Sequence, residues 1–122
     1  MQFAMLVYET ASEFETRTAD KSSPYIAAWR DYHKTLAASG AYIGGNPLKP
    51  PATAATVRLR GGERRVHDGP FAETREVLGG FFMMELPSLE AAIDWASRCP
   101  AAATGSVEVR PLAPEMKETI VA

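Results

Sequence analysis

The chain has 122 residues, of which 46% are hydrophobic and 23% are charged, and these values indicate one globular domain with its own core. The net charge of −2 argues against a nucleic-acid partner, because proteins that bind phosphate backbones usually carry a basic face. The single cysteine cannot form an internal disulfide, and no apolar run reaches the ~20 residues that cross a bilayer. We therefore expect a cytoplasmic protein without a membrane partner.

The first predicted elements are a strand, a loop and a helix. Residues 2–8 form a nearly continuous apolar run, which is typical of a strand buried on both faces. Residues 9–22 are polar and irregular, and they are expected to form a mobile loop. Ser23 suits an N-cap and Pro24 suits the first turn, so a helix is predicted from there to Gly40. Its apolar stripe has helical spacing and consists of Tyr25, Trp29, Tyr32 and Leu36.

A short strand over 41–45 and a hairpin follow the helix. The hairpin strands are predicted at 55–60 and 64–67, on either side of a glycine-rich turn. The hairpin carries four arginines, namely Arg58, Arg60, Arg64 and Arg65. We expect them to protect an exposed edge from pairing with other chains, and a site for an anionic ligand is the alternative.

The segment from His67 to Glu76 combines turn-forming residues with acidic side chains. A Gly-Pro pair follows Asp68, whose carboxylate is expected to hydrogen-bond backbone groups just downstream. His67 is expected at the surface, because neighbouring side chains of a strand point to opposite faces. Two interpretations remain open: a rigid connection with solvated acids, or a rim that presents Asp68 and a glutamate such as Glu73 to a pocket.

The C-terminal part is predicted to form a second buried strand, a helix and a last strand. The buried strand covers 79–86 and is apolar on both faces. The helix begins after the N-cap Ser88 and ends before Pro100, which places Cys99 in the core as a small hydrophobe. The last strand covers 106–112, and the residues after it show no strong pattern.

This order of elements predicts an α+β fold of the ferredoxin-like type, β-α-β-β-α-β with an inserted hairpin. Its antiparallel sheet would have two helices on one face. Because both central strands are apolar on both faces, the uncovered face must contact another surface, most simply a second copy of the chain. We therefore expect a homodimer.

Several stretches resemble one known family. Residues 68–76, Asp-Gly-Pro-Phe-Ala-Glu-Thr-Arg-Glu, and the following Gly-Gly-Phe at 79–81 resemble the motif that names the DGPF branch of the YCII-related family. The Arg-Asp-Tyr-His at 30–33 is similar to the Arg-x-x-His of the wider YCII group. The resemblance implies a dimeric α+β barrel in which residues 1–122 form a single domain and 113–122 form a C-terminal tail.

The resemblance also implies a candidate pair of catalytic residues. A His–Asp pair has been proposed as the active site in the wider group, and His33 is the matching histidine. Asp68 is chosen as its partner for its chemistry. A histidine titrates near neutral pH and is suited to proton transfer, although a half-buried His33 bonded to a backbone or tyrosine oxygen is an equally simple interpretation.

Tyr8, Glu73 and Arg110 are the candidate ligand-binding residues. Arg110 follows Glu108 by two positions, so the two side chains either form a surface ion pair or, if that face lines a barrel, leave Arg110 to bind a carboxylate or phosphate. No pair of histidines or acids has a recognised metal-ligand spacing, and no glycine-rich phosphate loop is present in the sequence. Neither a metal nor another cofactor is expected.

Two functions remain open at this level. One is a small-molecule-binding dimeric α+β barrel protein, with His33 and Asp68 performing acid–base chemistry on a small metabolite. The other is a non-catalytic sensor or regulatory protein acting with a transcription system, because some DGPF relatives are encoded beside alternative sigma factors.

Overall fold

A four-stranded sheet and a separate hairpin form the β-structure of the protein in a computed structural model, which describes residues 1–121. The elements in chain order are β1 (Gln2–Thr10), α1 (Ala11–Ala19), α2 (Pro24–Ala38), β2 (Tyr42–Pro47), β3 (Ala55–Arg60), β4 (Glu63–Asp68), β5 (Glu76–Glu85), α3 (Leu89–Ser97), β6 (Ser106–Pro111) and α4 (Pro114–Val121). Short 3-10 turns lie at Pro51–Thr53 and Pro100–Ala103. No helix within residues 1–121 is both long enough and apolar enough to cross a membrane.

The main sheet has the strand order β2-β5-β1-β6, and every neighbouring pair is antiparallel. This is the ferredoxin-like topology, with the β3–β4 hairpin inserted between β2 and β5. The predicted fold class is therefore confirmed.

The core lies between one face of the sheet and the helices. Phe3, Met5 and Val7 of β1 point into it, together with Phe82 and Met84 of β5. The alternate positions of both strands face the other way and are only partly covered, because successive side chains of a strand point to opposite faces. That second surface, here called the helix-free face, includes Ala4, Leu6, Tyr8, Phe81 and Met83.

The helices that carry clear sequence signals begin where those signals predict. The Ser23 hydroxyl accepts a hydrogen bond from the Ile26 amide at the start of α2, at 3.3 Å, and Ser88 does the same for Ala91 at the start of α3, at 3.2 Å. Gly40 follows α2 with φ +76°, a conformation that glycine adopts without strain.

The predicted loop over residues 9–22 is wrong, because α1 occupies most of it. The helix begins at a cap: the Thr10 hydroxyl accepts a hydrogen bond from the Glu13 amide at 3.1 Å. Thr10 and Glu13 have the spacing of a capping box, and Phe14 anchors the helix in the protein. Phe14 is the one buried side chain of these nine residues, so α1 leaves no row of large apolar residues in the sequence.

The other element without a sequence signal is α4, which forms in the predicted tail. Its side chains are all exposed over the described residues 114–121. A helix that buries nothing leaves no apolar stripe in the sequence, so the pattern after residue 112 could not predict it.

Candidate functional site

Glu9 is the most unusual side chain of the fold. It occupies the next inward position of β1 after Phe3, Met5 and Val7, and it is only 1% exposed. Among the described residues, no other charged side chain is buried. A buried carboxylate is costly unless partners compensate its charge, so the surroundings of Glu9 decide what it does.

Two side chains from different helices contact the Glu9 carboxylate. The Tyr25 hydroxyl of α2 donates a hydrogen bond to Oε2 at 2.7 Å, and Nη1 of Arg17, on α1, lies 3.0 Å from Oε1. We call these three residues the Glu9 cluster.

Arg17 connects this cluster to two further parts of the chain. Its Nη2 donates a hydrogen bond to the Leu48 carbonyl oxygen, and its guanidinium lies 4.0 Å from the ring centre of Phe14. Only 15% of the Arg17 side chain is exposed. Arg17 and Tyr25 are both partly exposed, so these two members of the cluster reach the surface and Glu9 does not.

The two oxygens of Glu9 are not equally satisfied. The Oε1 atom is close to Arg17, yet within residues 1–121 no donor is aligned for a hydrogen bond to it. Gly79 lies directly against this atom, and a Cβ on Gly79 would be 1.8 Å from Oε1. Gly79 is the extra residue of a bulge, because Val7 pairs with Gly80 and Tyr8 pairs with Leu78. The bulge and the missing side chain together make room for the carboxylate.

Burial and the Glu9 carboxylate keep the Tyr25 hydroxyl and the Cys99 thiol protonated. Burial raises the pKa of Tyr25 well above its usual range, and the hydrogen bond to Glu9 adds to this effect. Burial also raises the pKa of the Cys99 thiol to about 11, with a smaller contribution from the charge of Glu9. Tyr25 is therefore a hydrogen-bond donor at neutral pH. Cys99 is a core residue rather than a nucleophile, as predicted.

An apolar groove adjoins the cluster. Its volume is about 310 Å³, and its walls include Phe14 and Thr18 of α1, Pro50 and Pro51 on the opposite side, and Val77. Val77 is the cross-strand partner of Glu9 on β5, and Phe14 packs under the Arg17 guanidinium. Phe14 and Val77 therefore line the groove and also lie beside members of the Glu9 cluster.

The predicted catalytic pair lies elsewhere. His33 is exposed on α2, with its ring centre 5.2 Å from that of Tyr42. Asp68 is the exposed last residue of β4, paired with Ala55. No hydrogen bond or ion pair joins His33 to Asp68 in the part of the chain described, and their catalytic role stays a prediction.

The turn after Asp68 is held differently from the way the sequence suggested. The Gly69 amide donates to the Ala54 carbonyl at 2.7 Å, and the Thr56 hydroxyl donates to the Gly69 carbonyl at 3.0 Å. Gly69 itself has φ +119°, which favours glycine. The expected hydrogen bonds from the Asp68 carboxylate to the backbone are absent among the described residues, so that part of the prediction is wrong.

The three predicted ligand-binding residues are dispersed. Tyr8 pairs with Ser106, whereas Arg110 pairs with Ala4 at the other end of the same two strands, a separation of about 13 Å along the strands. Arg110 forms an ion pair with Glu108, and Glu73 is exposed in the segment after the hairpin. Their ligand-binding roles stay predictions. Residues 1–121 contain no group of three histidine, cysteine or acidic side chains placed to hold a metal ion.

The alternation of β1 is the sequence signal for the inward position of Glu9. A strict alternation places residues 3, 5, 7 and 9 on one face of β1, so a strand that continues past Tyr8 must point Glu9 inward. Ending the predicted strand at residue 8 assigned Glu9 to the loop. The charge of Glu9 favoured that assignment, since glutamates are rarely buried without a partner.

Comparisons with known proteins support the fold and the family. An uncharacterized protein of Rhizobium meliloti (strain 1021) is 52% identical over 68 residues, which are 54% of this chain and 55% of that protein. The match therefore spans about half the length of this curated relative.

A solved structure resembles most of the chain. It is a 5-chloro-2-hydroxyhydroquinone dehydrochlorinase of Burkholderia phenoliruptrix AC1100, in complex with 2,5-dihydroxybenzoquinone. Its TM-score is 0.53 at 16% identity, covering 93% of this chain and 94% of that one. At this identity the likeness establishes the fold. The model of the YCII-related domain matches residues 1–116, and the chain therefore belongs to the YCII-related family.

Proposed function

We propose that this protein binds a small, largely apolar molecule in the groove beside α1 and performs acid–base chemistry on it with the Glu9 cluster. One observation carries the proposal: a fully buried carboxylate, with one oxygen lacking an aligned donor, lies beside an apolar groove. Small-molecule sites are apolar clefts of roughly 300–1,000 Å³ with a few convergent polar groups. A groove of about 310 Å³ suits a ligand with one ring.

The chemistry of the cluster favours a ligand that carries an acidic or anionic oxygen. Arg17 is the cation of the cluster, and its guanidinium lies on the ring of Phe14, which is a wall of the groove; we therefore expect Arg17 to bind the oxygen of the ligand. An Arg17 that turns to the ligand leaves Oε1 of Glu9. The Glu9 carboxylate then lacks its cation and can accept a proton from the ligand. Tyr25 remains the donor that holds the other oxygen of Glu9. The dihydroxybenzoquinone bound to the structural relative is a one-ring compound with such oxygens.

A matched pair of variants tests the groove. Thr18 lines the groove and Thr16 does not, although both lie on α1 and both donate their hydroxyl to the carbonyl four residues before. Thr18→Phe should fill the groove and weaken binding of 2,5-dihydroxybenzoquinone or benzoate at least about tenfold, roughly 1.4 kcal/mol. Thr16→Phe should bind these probes like the unmodified protein. Calorimetric titration measures both, and equal affinity in the two variants would overturn the proposal.

The pair His33 and Asp68 remains a second candidate for proton transfer, on the resemblance to the wider family alone. If the two residues act together, His33→Ala and Asp68→Asn should have non-additive effects on the free energy of unfolding, with an interaction energy of about 0.5 kcal/mol or more. Urea unfolding of the two single variants and the double variant measures this. Additive effects would leave the pair without coupling and reject the assignment.

We also propose that the protein is a cytoplasmic homodimer that buries the helix-free face. The support is the row of apolar side chains on that face, which the helices of one chain leave only partly covered. An interface of this type buries on the order of 2,000 Å² or more in total. Light scattering at micromolar concentration tests the assembly, and a monomer would contradict it.

A further inference from the structure

The hairpin of β3 and β4, residues 55–68, stands apart from the main sheet, and we call it the arm. Its two strands pair with each other and with no other described strand. Gly61 and Gly62 form its tip with φ +57° and +80°, as a two-residue hairpin turn requires. A hairpin of two strands is only marginally stable in water unless something packs on it. The arm therefore needs a surface that one chain does not supply.

One face of the arm, here called its apolar face, exposes three apolar side chains and also carries Arg64 opposite Leu59. Val57 pairs with Val66 across the two strands, and Leu59 lies two positions from Val57 on the same face. These three side chains are 64%, 50% and 68% exposed, in the order Val57, Val66 and Leu59. Single exposed apolar residues are ordinary, but a contiguous group on an unsupported ribbon marks a contact surface.

The charge of the arm indicates what it contacts. It carries four arginines and two acidic residues, whereas the rest of the chain has four more acidic than basic residues. Two arms packed against each other would repel, and an arm packed on the body of the same protein would be attracted. A second copy of the chain offers that acidic body.

We propose that the apolar face of the arm packs on the body of a second copy of this chain. The proposal rests on the homodimer proposed above. The arm extends that interface and does not form it alone, because its own contact area is too small for a stable dimer. Six residues on each of two strands make a strip of about 200 Å², from a rise of ~3.3 Å and a strand spacing of ~4.8 Å. A standard interface buries about 800 Å² per partner, so the arm adds to the contact made by the helix-free face.

Removing the apolar side chains of the arm tests this directly. A triple variant, Val57→Thr with Leu59→Thr and Val66→Thr, keeps residues that favour strands and removes the apolar contact. The matched control is Met116→Gln with Ile120→Gln, which removes exposed apolar side chains from α4. Sedimentation should show a dimer dissociation constant at least about tenfold higher for the arm variant and unchanged for the control.

Hydrogen exchange of the unmodified protein gives a second measurement, which does not depend on the folding of a variant. The arm amides should exchange more slowly as the protein concentration rises through the dissociation constant, while the amides of β1 should stay equally protected. A dimer whose affinity is unchanged in the arm variant would overturn the arm contact and leave the homodimer intact. A protein that is monomeric at every concentration would overturn both. Binding of a short DNA duplex through the arm at physiological salt, without dimerisation, would also overturn the proposal.

Discussion

The ion pair of Glu9 and Arg17 predicts that a double substitution is less destabilising than one of its component single substitutions. Arg17→Met removes the cation and leaves a carboxylate that is 1% exposed with Tyr25 as its remaining partner. Removing one partner of a buried pair costs about 3–5 kcal/mol. We expect the lower end, about 3 kcal/mol, because the Arg17 side chain is 15% exposed and water screens part of the interaction.

Glu9→Gln removes the negative charge and is expected to lower the free energy of unfolding by less than Arg17→Met does. The amide oxygen of the glutamine can still accept from Tyr25, and Arg17 keeps its bond to the Leu48 carbonyl. The loss is then the attraction between two charged groups 3.0 Å apart, and its cost is reduced because no carboxylate is desolvated any longer. In the double variant no charge is buried. Its cost should therefore lie about 1 kcal/mol or more below that of Arg17→Met.

Urea unfolding of the four proteins measures these costs, with tryptophan fluorescence as the signal. The protein concentration must be the same throughout, because a dimer is stabilised by mass action. A double variant whose destabilisation equals the sum of the two single values would show that Glu9 and Arg17 do not interact. That result would refute the reasoning from the ion pair, whatever the size of the single effects.

Two further predictions concern the surroundings of the cluster. Gly79→Ala should lower the free energy of unfolding by about 1–3 kcal/mol, because its Cβ would lie 1.8 Å from Oε1 of Glu9. Gly44→Ala is the matched control, because a Cβ added at Gly44 has no atom within 4 Å. Equal unfolding midpoints of the two variants in urea would contradict this prediction. Burial raises the pKa of Cys99 from 9.0 to about 11, so the stability that its neutral form contributes is full below pH 9 and is lost as the pH rises to about 11. In Cys99→Ala the free energy of unfolding should therefore fall less steeply between pH 9 and about pH 11 than in the unmodified protein. Urea unfolding at several pH values measures this slope, and equal slopes in the two proteins would contradict the burial argument.

Elements with both a cap and a regular apolar pattern were predicted from the sequence. The helix α2 has an N-cap, an early proline and a stripe at helical spacing, and α3 has an N-cap and an apolar face. The apolar runs of β1 and β5 predicted central strands, because a strand that is apolar on both faces is rarely at an edge. Those elements sufficed for the ferredoxin-like topology.

The candidate site could not be predicted in the same way, because its residues come together only through tertiary contacts. Glu9 and Tyr25 are 16 residues apart, and Arg17 lies between them on a helix that the hydrophobic pattern missed. Asp68 lies within a dense local motif of polar and turn-forming residues. Local density of polar residues predicts a turn, and the turn is present, but it carries no information about which distant side chain a carboxylate meets.

The physical coupling of α1 to Glu9 links the stability of the fold to the proposed function. A helix of nine residues is too short to be stable alone, so α1 is held by its cap at Thr10, by the buried ring of Phe14 and by the ion pair of Arg17. The groove opens along the same helix, and Phe14 is one of its walls. A ligand that draws Arg17 away from Glu9 therefore loosens one of the three contacts that hold α1. We expect that ligand entry and exposure of the Glu9 carboxylate are one movement of α1, since elements with few buried contacts are the first to open.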